Sequence, residues 1–397
     1  MDKKPEKLVP EVRFKGFTDD WEQHKLGEIS KRVRNNDGRM NLPLLTISAR
    51  YGWMTQQSRF SASIAGREKK NYTLLEKHQL SYNHGNSKVA IYGTVYELTN
   101  YDEALVPKVY HSFSLTPENS SKFIESYFHT KKLDAQLRKF IASTARMDGL
   151  LNISFDDFMK VKLFAPEQCE QSKISRIINL IEKLITLQQR KLEILIKLKR
   201  SFLTKSMANS LDKNPELYFN SASVKWLKQK LSDLTIKEFK GNTKLNDTKP
   251  GKTEYLDAER LNGNVPLFID KPINTLKSDI LILWDGSKAG SVYYGFEGSL
   301  GSTLKAIRLN PKLVNSFFVY QQLKSKQDVI FNKYRTPNIP HVIKNFTKVY
   351  PIYFPSMAVQ NKIARFLGNL DTLIEIQQKS IKDHKVIKKY LLQKLFI

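Results

Sequence analysis

Two stretches decide how this chain is built: QSKISRIINLIEKLITLQQ from Gln171 to Gln189, and QNKIARFLGNLDTLIEIQQ from Gln360 to Gln378. They align at a constant offset of 189, and Gln171, Lys173, Ile174, Arg176, Leu184, Ile185, Gln188 and Gln189 are identical in the second copy. Pro166 and Pro355 stand before the two stretches, and Lys199, Leu203 and Lys205 return as Lys388, Leu392 and Lys394 after them. Outward on the N-terminal side, WEQHKLGEI from Trp21 returns as WLKQKLSDL from Trp226, with Lys25, Leu26, Glu28 and Ile29 falling on Lys230, Leu231, Asp233 and Leu234 at an offset of 205. A fixed-offset self-match of this length is a duplication. The offsets differ by 16, so the segment between the matched flanks is shorter in the second copy, and residues 30–150 and 235–335 show no comparable likeness. The frame repeats and its contents differ.

Each repeated stretch is helical in composition, free of proline and rich in Leu, Ile, Lys, Glu and Gln. Apolar residues recur at Ile174, Ile178, Ile181, Ile185, Leu192 and Leu195, and again at Ile363, Leu367, Leu370, Ile374, Ile381 and Leu391. Alternating steps of four and three mark the narrow seam of a coiled coil, whereas a helix on a globular surface drifts from that period. The skipped seam position holds Gln188 in one copy and Gln377 in the other. A lone polar seam residue fixes register, and two amides facing each other satisfy one another. The expectation is two antiparallel helices paired as a rod of roughly 57 Å, long enough to hold two domains about one turn of duplex DNA apart.

Charge points to the ligand. With 65 Lys and Arg against 39 Asp and Glu, the formal charge is +26 and the basic residues are spread along the chain. Such an excess repels itself and calls for a polyanion, and double-stranded DNA suits it better than a membrane surface. Cys169 is the one cysteine, which excludes a disulfide framework and fits a reducing cytoplasm. The opening MDKKPEKLVPEVRF lacks the apolar segment of a signal peptide, and no apolar run is long enough to span a bilayer.

Catalytic motifs are near misses. KPGKT ends like a phosphate loop, but Asn246 stands where its first glycine belongs, so the stretch is expected to be a basic turn. FEGSLG from Phe296 is expected to be a hairpin or turn. The candidates for an amino-methylating motif, NPEL at Asn214 and NPKL at Asn310, lack the aromatic that stacks on a flipped base. Asp156–Asp157 are expected in a turn entering a strand, and the seven histidines lack metal-ligand spacing. The expectation is a chain without a catalytic site, metal or cofactor.

The variable segments mix short strands (KVAIYGTVYEL, DILILWDG, SVYYGF) with helices, giving mixed α/β (α+β) domains. Base edges call for Arg, Lys, Asn, Gln or Ser on loops, and phosphates for Lys, Arg and backbone amides. In the first domain the candidates are Arg50, Tyr51 and Trp53; Arg67, Lys69, Lys70 and Asn71; His84, Asn86, Ser87 and Lys88; and Arg146. In the second they are Lys240, Asn242 and Lys244; Asp285, Ser287 and Lys288; and Lys333, Arg335, Thr336 and Asn338.

PEVRFKGFTDDWEQHKLGEI, the NISFDDFMKVKLFAP run into a Gln-rich helix, and their repetition resemble the specificity subunit of type I restriction-modification systems, over essentially the whole chain. That resemblance implies target-recognition domains at 1–165 and 210–352, and helical spacers at 166–209 and 353–397. Each domain would bind half of a split DNA site. Two DNA-methyltransferase subunits would bring S-adenosylmethionine, and two motor-nuclease subunits ATP and Mg. The family pattern singles out no base-contacting residue, and the linker SMANSLDKNPELYFNSAS lacks the tandem short repeat some members use to vary spacing. The competing expectation, a stand-alone bipartite regulator, is weakened because nothing reads as a helix-turn-helix.

Overall fold

The computed structural model describes residues 8–60, 66–85, 87–142, 150–207, 226–336 and 340–397. Two compact units divide the chain, one made of residues 1–189 with 379–397 and the other of residues 190–378. Each therefore combines one variable segment with part of each long helix.

Both units are built on the same strand order. In the first, Ser30–Val33, His111–Leu115, Leu80–Asn83 and Thr94–Glu97 lie side by side in that order. In the second the order is Thr235–Lys240, Leu304–Leu309, Ile280–Leu283 and Val292–Tyr293. Every pairing in both sheets is antiparallel. The registers correspond as well: Leu80 faces Phe113 as Ile280 faces Ile307, and Ser30 faces Leu115 as Thr235 faces Leu309. So the duplication continues through the segments whose sequences show no likeness. The offset falls from 205 at Ser30/Thr235 to 200 at Leu80/Ile280, and the 16-residue shortening is spread over several loops.

Hydrophobic pattern explains how unlike sequences give one sheet. All four side chains of Ile280–Leu283 are buried, as are Leu80, Ser81 and Tyr82, as a central strand covered on both faces requires. In the first unit a helix, Ser121–His129, packs Phe123, Ile124, Tyr127 and Phe128 into the core, and in the second Ser316–Ser325 contributes Phe318, Val319 and Leu323. Ser120 and Asn315 cap these helices, each accepting an amide in the first turn (Phe123, Phe318).

The repeated frame residues hold the pieces together. Buried Gln171 accepts the amide of Ser120 at 3.0 Å and donates to the Pro166 carbonyl at 2.9 Å. Gln360 accepts the amide of Asn315 at 2.8 Å and donates to the Pro355 carbonyl at 2.9 Å. On the N-terminal side, the amides of Lys25 and Lys230 donate to Glu28 and Asp233, and Ser30 and Thr235 both bond back to a leucine carbonyl at 2.7 Å. An outer two-stranded pair closes each frame, Glu22–Lys25 with Lys162–Ala165 and Leu227–Lys230 with Pro351–Phe354.

The long helices run Gln168–Ser206 and Met357–Lys394. In the first unit Ile174 and Ile178, near the start of one, share a core with Leu391, Leu392, Leu395 and Phe396 at the end of the other. In the second unit Phe202 and Leu203, near the end of one, pack with Ile363, Ala364 and Leu367 at the start of the other. The helices are thus antiparallel in both units. Every seam position is covered: Ile174, Ile178, Ile185, Ile363, Leu367, Leu370, Gln377 and Ile381 are buried, and Ile181, Gln188, Leu192, Leu195, Ile374 and Leu391 half-buried. Neither Gln188 nor Gln377 is without a partner. Several off-seam apolar residues are open, with Leu187 63% and Ile376 59% exposed.

Three local expectations change. Asp156 and Asp157 lie in a short helix, Phe155–Met159, because Ser154 caps it by accepting the Asp157 amide at 3.0 Å. KPGKT opens a strand, Pro250–Leu256, that pairs with Phe268–Ile269. A side chain at Gly251 would meet the Ile269 carbonyl at 2.2 Å, so its glycine serves close strand contact and not a phosphate. In FEGSLG, Ser299–Leu300 pairs in parallel with Tyr255–Leu256 instead of turning back as a hairpin.

Candidate nucleic-acid interface

In the first unit, the hairpin of Leu45–Ser48 and Gly52–Thr55 carries Arg50 and Tyr51 at its tip. Ser48 Oγ accepts both of their amides at 3.3 Å, and the Arg50 guanidinium lies 5.4 Å from the centre of the Tyr51 ring, which is 68% exposed. The tip is fixed from behind. Asn83 donates to the Ile47 carbonyl at 3.0 Å, Arg59 bonds Thr46 and Ile47, and the Tyr96 hydroxyl donates to Ala49 at 3.3 Å. Asn83 ends the central strand, so the hairpin tip stands beside the root of the loop that carries Ser87 and Lys88. Gly52 takes φ +70, a conformation L side chains rarely adopt, and a Cβ there would crowd the Tyr96 ring at 3.1 Å.

Two sequence candidates are structural here. His84 is buried, with ring nitrogens 2.7 Å from the carbonyls of Leu151 and Val109, and it stacks on His111 at 4.8 Å. Its polar atoms are already occupied inside the fold, which corrects its assignment to a ligand-facing role. Trp53 likewise turns inward, its indole N–H donating to the Glu97 carbonyl at 3.0 Å while the ring packs on a small core around Leu45 and Ile47. Lys69, Lys70 and Asn71 lie on a 3-10 segment, Gly66–Asn71, near the open end of the hairpin, away from the tip, where Gln56 donates to Tyr72. Asn86, Arg146 and Asn338, and the side chain of Arg67, lie outside the described residues.

The second unit gathers its candidates around Asp285. Lys240 donates to this carboxylate at 2.6 Å, Arg335 donates to the Ser287 carbonyl at 3.0 Å, and Gly286 donates to Pro340. Ser287, Lys288 and Lys333 are exposed beside them. Thr336 folds inward onto His341. Asn242 and Lys244 are exposed, flanking Thr243, which is tied to Ser299 at 2.9 Å. The Lys240–Asp285 pair is half-exposed, so it contributes little to stability and can open for a ligand.

One polar cluster gives no sign in the sequence, because Lys122, Glu125 and His129 on one helix meet Glu182 and Lys388 only in the fold. Lys122 reaches Glu125 at 2.8 Å and Glu182 at 2.6 Å, and Glu182 also takes Lys388 at 2.8 Å. Burial pushes the Glu125 carboxyl up to about 7 and holds His129 down to about 4, with Lys388 and Lys122 adding to the histidine's shift. Burial opposes charge on Lys122 and Glu182 too, but their opposite-sign neighbours prevail, raising Lys122 and lowering Glu182. Glu125, His129 and Glu182 come close enough together to hold a metal ion. The Lys122 ammonium bonds both carboxylates, so the three groups belong to an internal ion network.

Residues 223–383 match the family model described as the type I restriction modification DNA specificity domain. The second copy of the repeat thus resembles a type I specificity domain. The chain is 32% identical to the type I restriction enzyme MjaVIII specificity subunit of Methanocaldococcus jannaschii over 165 residues, a match spanning 41% of this chain and 39% of that subunit. Against the putative MjaX specificity subunit of the same organism it is 24% identical, with 95% and 93% of the two chains covered. The chain shares the fold of the crystallised type I S subunit from M. genitalium, with TM-score 0.68, 16% identity, and coverage of 98% and 99%. A chain solved in work on complex assembly and conformational transition of the type I system gives TM-score 0.51 at 13% identity, covering 99% of each. Among the described residues, no helix is long and apolar enough to cross a membrane.

Proposed function

We propose that this chain is the non-catalytic, DNA-reading subunit of a cytoplasmic type I complex, each unit recognising one half of a bipartite duplex site. The observation that carries this reading is the repeated loop cluster. Two units with one strand order each bring polar and basic side chains to the end of the central strand, and most of these side chains differ between them. A split, asymmetric site calls for two such readers. The phosphate contacts come from Lys and Arg on these loops, in keeping with the charge of +26.

The paired helices act as the spacer between half-sites, and their uncovered apolar residues, such as Leu187 and Ile376, suit docking by other subunits. Two methyltransferase subunits supply S-adenosylmethionine and methylate adenine. Two motor-nuclease subunits supply ATP and Mg for restriction, and no cofactor resides in this chain. Co-purification with a methyltransferase subunit tests the reading. The complex is expected to methylate a split site that sequencing of modified DNA reveals, while the isolated chain neither methylates nor cleaves. Turnover by the isolated chain, or a full-strength footprint without any partner, overturns it.

A further inference from the structure

Because the two units share a strand order, their loops can be compared position by position. His84 and Trp284 occupy one place: the carbonyl of each accepts the amide of a returning segment, Leu151 at 2.8 Å and Val342 at 3.0 Å. One residue on, Gly85 bridges Leu150 and Asp285 bridges His341. Counting forward two and three residues from these bridged positions gives Ser87–Lys88 in one unit and Ser287–Lys288 in the other. Both lysines are exposed, and neither ammonium has an ionic partner among the described residues. Their neighbours are unlike. The first unit adds the Arg50–Tyr51 tip, and the second has the Asp285 carboxylate, paired with Lys240, where the first has Gly85.

Two different half-sites offer the same sugar-phosphate backbone but different base edges. Side chains that two readers share at one place suit what the half-sites share, and side chains that differ suit what distinguishes them. An ammonium with an adjacent hydroxyl matches a phosphate. A carboxylate is repelled by phosphate but accepts from the exocyclic amine of a base in the major groove.

Resting on the DNA-reading function above, we propose that Ser87–Lys88 and Ser287–Lys288 are matching phosphate anchors, and that Asp285 is a base-reading residue particular to the second unit. Lys240 holds the Asp285 carboxylate until a base amine replaces it.

The test uses the full chain in complex with its methyltransferase partner, a mixed-sequence duplex, and selection from a randomised duplex pool. Lys88→Ala and Lys288→Ala are each expected to weaken mixed-sequence binding about tenfold near ~0.1 M salt, and to lower the slope of log affinity against log salt by about one. The selected sequence should stay the same. Asp285→Asn should keep that slope and relax a position in one half of the selected sequence. A lysine variant that keeps the full slope, or that alters the selected sequence, overturns the anchors, and an Asp285→Asn complex selecting the unchanged sequence overturns the base contact. Should the unaltered complex bind no duplex in a salt-dependent way, the DNA-reading function falls and the anchors with it.

Discussion

The two units fasten their globular parts to the long helices at the same place with different chemistry. In the first, Glu182 accepts from Lys388 and from Lys122; in the second, Asp371 accepts from Lys199 and from Gln321 at 2.7 Å. Glu182 falls on Asp371, and Lys199 on Lys388, at the 189 offset of the repeat. The helix-to-helix ion pair is therefore one interaction, duplicated. The partner offered by the globular part has diverged, charged in one unit and neutral in the other. Lys122 also neutralises a buried acid, Glu125, whereas the Gln321 amide has no charge to balance. A duplicated frame can thus keep its joints while its inserts acquire different electrostatics.

The largest effect should come from breaking the charged joint. Lys122→Met leaves Glu125 buried without its cation and Glu182 with only Lys388. Removing one partner of a buried ion network costs about 3–5 kcal/mol. Hydrogen exchange in the full chain should show helix Ser121–His129 losing protection by that amount, with helix Ser316–Ser325 unchanged. Equal loss in both helices would sink the distinction between the joints.

The next contrast is pH. The folded Glu125 carboxyl lies at about 7, above its ordinary value, so its contribution to stability is full below that ordinary value and is lost as pH rises through about 7. His129 runs the other way. Held down to about 4, it contributes fully above the ordinary histidine value and loses that contribution as pH falls toward about 4. Glu125→Gln isolates the first term. The stability of the unaltered protein relative to this variant should fall by on the order of 2–3 kcal/mol between about pH 4.5 and 7, then level off. A difference that stays flat across that window would show that Glu125 ionises as an ordinary carboxyl. In the second joint the equivalent test on Gln321 should show no such drift.

Where the frame repeats without divergence, the costs should match. Gln171→Ala and Gln360→Ala each leave a helix-capping residue's amide without its acceptor, at about 1–3 kcal/mol. Exchange at Ser120 and Asn315 should accelerate to a similar degree in the two variants. A gap of several kcal/mol between them would mean that the repeated glutamines do different jobs.

These latches explain what was legible in the sequence. Gln171, Gln360 and their prolines were visible as identities because each side chain serves backbone groups, and a backbone acceptor or donor is the same whatever side chains surround it. The seam was legible for a similar reason, since Ile174 or Ile363 answers only to helical periodicity. The common strand order was not. Leu80–Asn83 and Ile280–Leu283 share no motif, because a central strand asks only for buried side chains of suitable shape. His84 misled because a polar residue in a loop-like HGNSK stretch gives no sign that two backbone carbonyls, at Val109 and Leu151, await it inside the fold. The Lys122 network was invisible for want of any local pattern linking residues 60 and more positions apart.

The smallest contrast concerns Gln321 itself. Gln321→Leu removes one neutral donor from Asp371, which keeps Lys199, so the loss should be about 1 kcal/mol. Combined with Asp371→Asn it gives a double-mutant cycle, because the two side chains touch and their effects should not simply add. The same cycle in the first unit, Lys122→Gln with Glu182→Gln, should return a coupling several-fold larger, since there a charge meets two acids, one of them buried. Denaturation of the full chain monitored by exchange in each unit separates the four terms. Comparable couplings would mean that the charged joint gains nothing from its charge, and that the divergence between the inserts stops at the loops.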